Sequence, residues 1–158
     1  MIGNDVIDLE LTRIESNWKR KGFLDKLFSV REQKMIQNAK NSELMIWNLW
    51  SRKEAAYKIY NRETNIRAYI PLQLQCFILP NDADYVLCNK RKYYTITTIT
   101  KEKIETIAVK NQSDFENCIV LKDLISVEKI NGIPQNKISK KPVTISHHGR
   151  FQQIVSLK

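Results

Sequence analysis

Trp50-Ser51-Arg52-Lys53-Glu54-Ala55-Ala56-Tyr57-Lys58 sets a carboxylate and cations inside a run that otherwise reads as a buried helix. Counting back four and seven residues from Glu54 gives Trp50 and Trp47, and counting forward three gives Tyr57. At helical spacing, Glu54 therefore shares a face with three large aromatics. A carboxylate is rarely found on such a face without a partner. Two readings account for it. One is an i,i+4 ion pair with Lys58, worth only about 0.2 to 0.5 kcal/mol at an exposed site, with the aromatics as ordinary core. The other is a metal ligand. On this helix alone the two stand level, because structural ion pairs look the same.

Upstream, Ser29-Val30-Arg31-Glu32 has the pattern of a capping box and predicts a helix over 30–39. Asn41 or Ser42 then caps the long helix, expected to run to Tyr60. Residues 1–5 read as a short strand, after which Ile7, Leu11, Ile14 and Trp18 recur at helical intervals. A strand-to-helix switch is expected near Asp5, with Asp5 as the cap and Asp8 in the first turn, where the helix dipole favours carboxylates. Capping explains each acid singly; it does not explain two acids clustered beside a strand end.

Downstream of Pro71 the period changes to two. Leu72, Leu74, Cys76 and Ile78 alternate with other residues as in a half-buried strand, and 93–100, 104–109 and 118–121 read as further strands. Asn131-Gly132 is a turn signal, and 138–142 is a basic connector to a final hairpin that turns at Gly149-Arg150. In that hairpin Val143, Ile145 and His147 share one face and Thr144, Ser146 and His148 the other. His147 continues an apolar face, where a satisfied core histidine is commoner than a functional one. The pattern predicts an α+β fold, a helix-rich N-terminal part packed on a mainly antiparallel sheet.

A chain of 158 residues with 42% hydrophobic residues is most simply one domain, 1–158. No apolar run is long enough to span a bilayer, and Asp5, Asp8 and Glu10 stand where a signal peptide would need an apolar core, so a cytoplasmic protein with no membrane partner is expected. Cys76, Cys88 and Cys118 have neither disulfide-framework nor zinc spacing. With 26 Lys and Arg against 17 Asp and Glu, the net charge of +9 favours an anionic partner without naming it. Lys19-Arg20-Lys21 and Lys90-Arg91-Lys92 are docking patches or solvated faces.

Taken together, Gly3-Asn4-Asp5, the Trp50 to Lys58 stretch and Ser146-His147-His148-Gly149 resemble the three signatures of the 4'-phosphopantetheinyl transferases. Those are a Gly-x-Asp at a strand end, a Trp-x-x-Lys-Glu-Ala-x-x-Lys helix, and a Ser-His pair before a strand. Ser-His comes last, as in the compact holo-acyl-carrier-protein synthase branch. The chain departs from the pattern at Asn4, where an aliphatic residue is usual, at Asp8, where glutamate is common, at His148, and in its longer middle segment. The resemblance implies transfer of 4'-phosphopantetheine from coenzyme A to a serine of an acidic acyl (or peptidyl) carrier protein, with release of 3',5'-ADP. It implies Mg2+ held by Asp5, Glu54 and Asp8, with Asp5 and Glu54 catalytic, and coenzyme A contacts from Lys58, Lys53, Ser146 and His147. By the same resemblance a homo-oligomer is expected, a trimer in compact relatives, with Glu54 of one chain working beside His147 of another.

Two other readings compete. A basic α+β nucleic-acid-binding domain would use the charge with Tyr93 and Tyr94 exposed, but leaves Glu54 unexplained, and no nucleic-acid partner is expected. A non-catalytic relic of the family would leave Asp5, Glu54, Lys58 and His147 without a task.

Overall fold

The strand β1 (Ile2–Asp8) is buried along its whole length. That is unusual for a strand carrying two acids and an asparagine, and it follows from where the strand lies. In this computed structural model, which describes residues 1–124 and 126–158, β1 forms one edge of an antiparallel five-stranded sheet. From that edge inward come β5 (Lys103–Val109), β4 (Arg91–Ile99), β3 (Tyr85–Cys88) and β2 (Gln75–Phe77). A second sheet has the order β6 (Cys118–Leu121), β10 (Phe151–Leu157), β9 (Val143–His148), and β7 (Val127–Ile130) pairs with β8 (Ile133–Asn136) as a separate hairpin. The helices are α1 (Leu9–Glu15), α2 (Phe23–Leu27), α3 (Val30–Asn38) and α4 (Ser42–Thr64).

Helix α4 lies on the five-stranded sheet and packs chiefly on β1 and β5. Its Ile46, Trp47, Leu49, Ala55, Ala56 and Ile59 join Ile7, Val86, Tyr93 and Ile104 of the strands in the main core. The approach to β1 is close because Gly3 faces Ala55: a Cβ at Gly3 would overlap the Ala55 carbonyl oxygen. The glycine of the Gly-x-Asp signature is thereby explained by packing.

The edges of the two sheets, β1 and β9, lie side by side without a backbone ladder, and side chains bridge them instead. Lys58 Nζ donates to Asn4 O (2.6 Å) and Ile145 O (3.0 Å). One turn on, Arg62 donates to Ile2 O (3.0 Å) and Val143 O (2.9 Å). Two β1 amides are met from the other strand, Val6 N by Ser146 Oγ (3.1 Å) and Asp8 N by His148 Nδ1 (2.9 Å). Asn4 is buried and satisfied, its amide nitrogen donating to Gln153 and its oxygen accepting from Thr144, so this departure from an aliphatic residue serves the junction between the sheets.

The structure bears out the mixed architecture, the capping box at Ser29 and the final hairpin, and it corrects several local expectations. Strand β1 runs on to Asp8, because Ile7 and Asp8 keep register with β5. Asp8, not Asp5, caps α1, its side chain accepting from Glu10 N and Leu11 N. Ile14, counted on the apolar stripe, is 79% exposed. Helix α4 continues to Thr64 and stops at Asn65 in the left-handed region. Of the strand expected around 72–78 only 75–77 pairs, since Pro71–Gln73 form a 3-10 turn. Tyr93 is buried and donates to Glu63 Oε2 (2.9 Å), which removes an aromatic from the nucleic-acid reading. In β9 Thr144 and Ser146 are buried along with Val143 of the opposite face, while His147, at the end of the face read as apolar, is exposed.

Gly3→Ala is expected to lower stability by about 3 kcal/mol or more, as overpacking against backbone cannot relax by a side-chain shift. Thermal unfolding checks this, with Gly22→Ala, whose Cβ meets open space but whose φ is +79°, expected to cost less.

Candidate active site

Where β1, β9 and the middle of α4 converge, a cleft of about 440 Å3 opens, lined by Asp5, Glu54 and His147 with Phe23, Trp47 and Trp50 among its apolar wall. One chain thus brings together residues from all three signatures. Asp5 reaches the cleft because β1 alternation places it on the α4 side, two residues from Gly3. Its Oδ1 accepts from Ser146 Oγ (3.0 Å), whereas Oδ2 is buried with no hydrogen-bond partner among the described residues. Burial pushes the Asp5 carboxyl above its ordinary pKa, against the pull of Lys58 and the Ser146 hydrogen bond.

Glu54 sits on the aromatic face anticipated for it, and Tyr69 completes that face, edge-on to Trp50 (5.5 Å between centroids) and to Tyr57 (4.9 Å). Burial and the nearby Asp5 charge push the Glu54 carboxyl up to about 7, against the pull of Lys58. The Glu54–Lys58 attraction is real, yet it is not a contact pair, because Lys58 Nζ is directed to Asn4 O and Ile145 O. Burial lowers the Lys58 pKa, and Asp5 and Glu54 oppose that shift.

Three of the residues grouped with the site act elsewhere. Lys53 is fully buried and its ammonium donates to Leu27 O (2.8 Å), Glu32 Oε2 (2.8 Å) and Pro71 O (2.9 Å). All three of its donors are spent, so it is a structural cation and not a coenzyme A contact. Asp8 holds Arg150 through three hydrogen bonds, from N, Nε and Nη2. The Arg150 hydrogen bond holds its carboxyl well below the usual range. Asp8 does not line the cleft, and its committed oxygens remove it from the metal set. Gly149 is required beside it, since a Cβ there would come within 2.6 Å of Asp8 Oδ2. Ser146 is buried between Asp5 and Val6 N, where it orients the Asp5 carboxylate and does not face a ligand. His148 accepts from Asp8 N through Nδ1, leaving the Nε2 proton towards Glu15 (3.2 Å).

Sequence reasoning missed Arg62, Tyr69 and Glu32. Arg62 could have been found one turn beyond Lys58 on the same helical face; Tyr69 and Glu32 belong to segments whose approach to α4 only the tertiary fold reveals.

The 4'-phosphopantetheinyl transferase superfamily is matched over residues 1–114, and the chain belongs to that superfamily of enzymes. It is 29% identical over 104 residues to a holo-[acyl-carrier-protein] synthase of Fusobacterium nucleatum, covering 60% of this chain and 82% of the relative. Its fold matches the crystal structure of Thermotoga maritima holo-[acyl-carrier-protein] synthase with a TM-score of 0.53 at 12% identity, over 98% of this chain and 81% of that one. The similarity to known structures therefore extends through the second sheet, beyond the sequence match.

A carboxyl whose folded pKa is raised binds more protons in the native state than in the unfolded chain between the two pKa values. Stability therefore falls as pH rises from about 4.5 to about 7 through Glu54. Glu54→Gln is accordingly expected to stabilise the metal-free protein above pH 7 by on the order of 2 kcal/mol, and to have little effect near pH 4.5. Denaturant titrations at the two pH values check this.

Proposed function

We propose that the protein transfers 4'-phosphopantetheine from coenzyme A to a serine hydroxyl of an acidic acyl carrier protein, using Mg2+ and releasing 3',5'-ADP. The observation that carries this reading is the unpartnered, buried Asp5 Oδ2 beside the Glu54 carboxyl on one cleft, in a chain of this superfamily. The pair fits a hard cation. Mg2+ takes one or two carboxylates and completes its shell with phosphate oxygens and water, so a third protein acid is not required. Among the described residues no group of three or more His, Cys, Asp and Glu is placed to hold a metal.

Bound there, the ion supplies neutralisation of the charge that develops on the pyrophosphate. The chain does the rest. Ser146 fixes one Asp5 oxygen and leaves the other directed at the ligand. Lys58 adds positive charge behind the two acids. The apolar wall of Phe23, Leu27, Trp47 and Trp50 shields the reacting groups from bulk water. His147, exposed on the rim, is free to meet the nucleotide. The serine hydroxyl attacks the phosphorus, the bond to the 3',5'-ADP oxygen breaks, and the serine proton passes to an oxygen of the carboxylate pair. Lys19, Arg20 and Lys21 are exposed, shortly before Phe23 in the chain, and suit an acidic carrier.

The test is incubation with coenzyme A, Mg2+ and a panel of apo-carrier proteins, read by intact mass. Wild type should add one phosphopantetheine; Glu54→Gln and Asp5→Asn should lose about a hundredfold or more in rate, each removing a charge from the metal site. Asp8→Asn should lower Tm while folded molecules keep most of their rate. Near wild-type transfer by Glu54→Gln in saturating Mg2+ would show that Glu54 is not a ligand.

Glu54 and His147 share one cleft within one chain. Mixing inactive Glu54→Gln with inactive His147→Ala under subunit exchange is thus expected to restore no activity. Recovery would place the working pair across a subunit seam.

A further inference from the structure

Four side-chain atoms are buried without a hydrogen-bond partner among the described residues: Asp5 Oδ2, Trp47 Nε1, Glu63 Oε1 and the Tyr69 hydroxyl. Glu63 Oε1 has the Lys110 ammonium at 2.6 Å as an ion partner. The other three gather in one region, Asp5 and Trp47 on the wall of the cleft and Tyr69 against the aromatic face that carries Glu54. Native folds leave few such atoms, because a buried polar group without a partner costs on the order of 1–3 kcal/mol.

Tyr69 is held firmly where it is. It lies on the segment 65–70 that links α4 to the turn at Pro71–Gln73, and α4 fastens that segment and the turn. Asn61 Nδ2 donates to Ile66 O (2.8 Å), Tyr57 OH to Arg67 O (2.6 Å) and Lys53 Nζ to Pro71 O (2.9 Å). The ring stands edge-on to both Trp50 and Tyr57, which flank Glu54 on its helical face at four residues before and three after. Glu54 is the acid the hydroxyl approaches. Burial and then the Glu54 charge raise the phenol pKa, so it keeps its proton. Burial and Asp5 lift the Glu54 carboxyl, and Lys58 and the phenol pull it down. The two groups are thus within electrostatic reach, although the hydroxyl does not meet the carboxyl at hydrogen-bond geometry.

The neighbouring acid shows what such a hydroxyl does. Ser146 Oγ occupies Asp5 Oδ1 and leaves Oδ2 open. We propose that Tyr69 is the positioning residue of Glu54, its hydroxyl donating to one carboxylate oxygen and turning the other into the cleft. The inference rests on the metal reading and deepens it: each of the two acids then has one oxygen fixed by a hydroxyl from another segment and one directed at the cation. Carboxylates that ligate metals are commonly oriented by a partner of this kind.

The test is calorimetric titration of Mg2+, without and with coenzyme A and always without carrier protein, into wild type, Tyr69→Phe and Glu54→Gln. It is run above pH 7, where Glu54 is ionised, and Tm is measured for the metal-free proteins. Tyr69→Phe keeps the ring and its edge contacts. It should weaken Mg2+ about tenfold to a hundredfold with Tm unchanged or raised, since the hydroxyl it removes has no partner in the metal-free fold. A lowered Tm would show that the hydroxyl serves the metal-free fold, and unchanged Mg2+ affinity that it does not act on Glu54. Either result overturns the inference and leaves the metal reading intact. If wild type bound no Mg2+, or Glu54→Gln bound it equally well, the metal reading would fail and the inference with it.

Discussion

Two sheet edges that meet without pairing their backbones are the constraint on which the rest depends. Strand β1 has its ladder partner β5 on one side only, and on the other its carbonyl and amide groups would be buried against β9 without partners. An unpaired backbone group in such a place costs on the order of 1–3 kcal/mol. The solution is chemical alternation. Cations from α4 meet the carbonyls of Ile2 and Asn4, and acceptors on β9 meet the amides of Val6 and Asp8. Because this bridge is built from side chains, charged and hydroxyl groups are carried into the interior beside Asp5. The polar site is a by-product of closing the seam, and the desolvation that lifts the Asp5 and Glu54 carboxyls comes from the same closure.

A second buried charge holds the opposite wall. Lys53, next to Glu54 in sequence, ties α4 to the end of α2 through Leu27 O and to the turn at Pro71. Glu32 meets it while also capping α3 through Ser29 N and accepting from Cys76 N. Breaking one partner of such a buried pair costs about 3–5 kcal/mol, so the segment that carries Phe23 and Leu27 is fixed relative to Glu54. The Lys-Glu step of the helix motif therefore divides its labour: the lysine builds the wall, and the glutamate faces the cleft.

Much of this was legible in the residues. The anomaly of Glu54 among Trp47, Trp50 and Tyr57 pointed to the site, and the Ser29 capping box placed α3. Other features were hidden for identifiable reasons. Asp5 and Asp8 both look like helix caps, and only the register of β1 with β5 shows that the strand outlasts the helical spacing seen from Ile7 onward. The exposure of His147 was hidden because the seam buries the polar Thr144 and Ser146 as well as Val143, so burial along β9 does not follow the alternation of apolar and polar residues. Lys53 and Lys58 are equally cationic in sequence; their different tasks depend on what α2 and β9 present to them. Tyr85–Cys88 is too short, and its neighbours Asp82 and Asp84 too turn-like, for β3 to announce itself.

The β7–β8 hairpin turns on Asn131 and Gly132, both with positive φ, and pairs with neither of the two main sheets. Its second strand packs on β9 and bridges from Gln135 to Pro142, while its tip lies beside α4. Residues can be added at or removed from its tip without shifting the register of any strand that carries Asp5, Ser146 or His147. The length of the hairpin is therefore free to vary while the carboxylates beneath stay where they are.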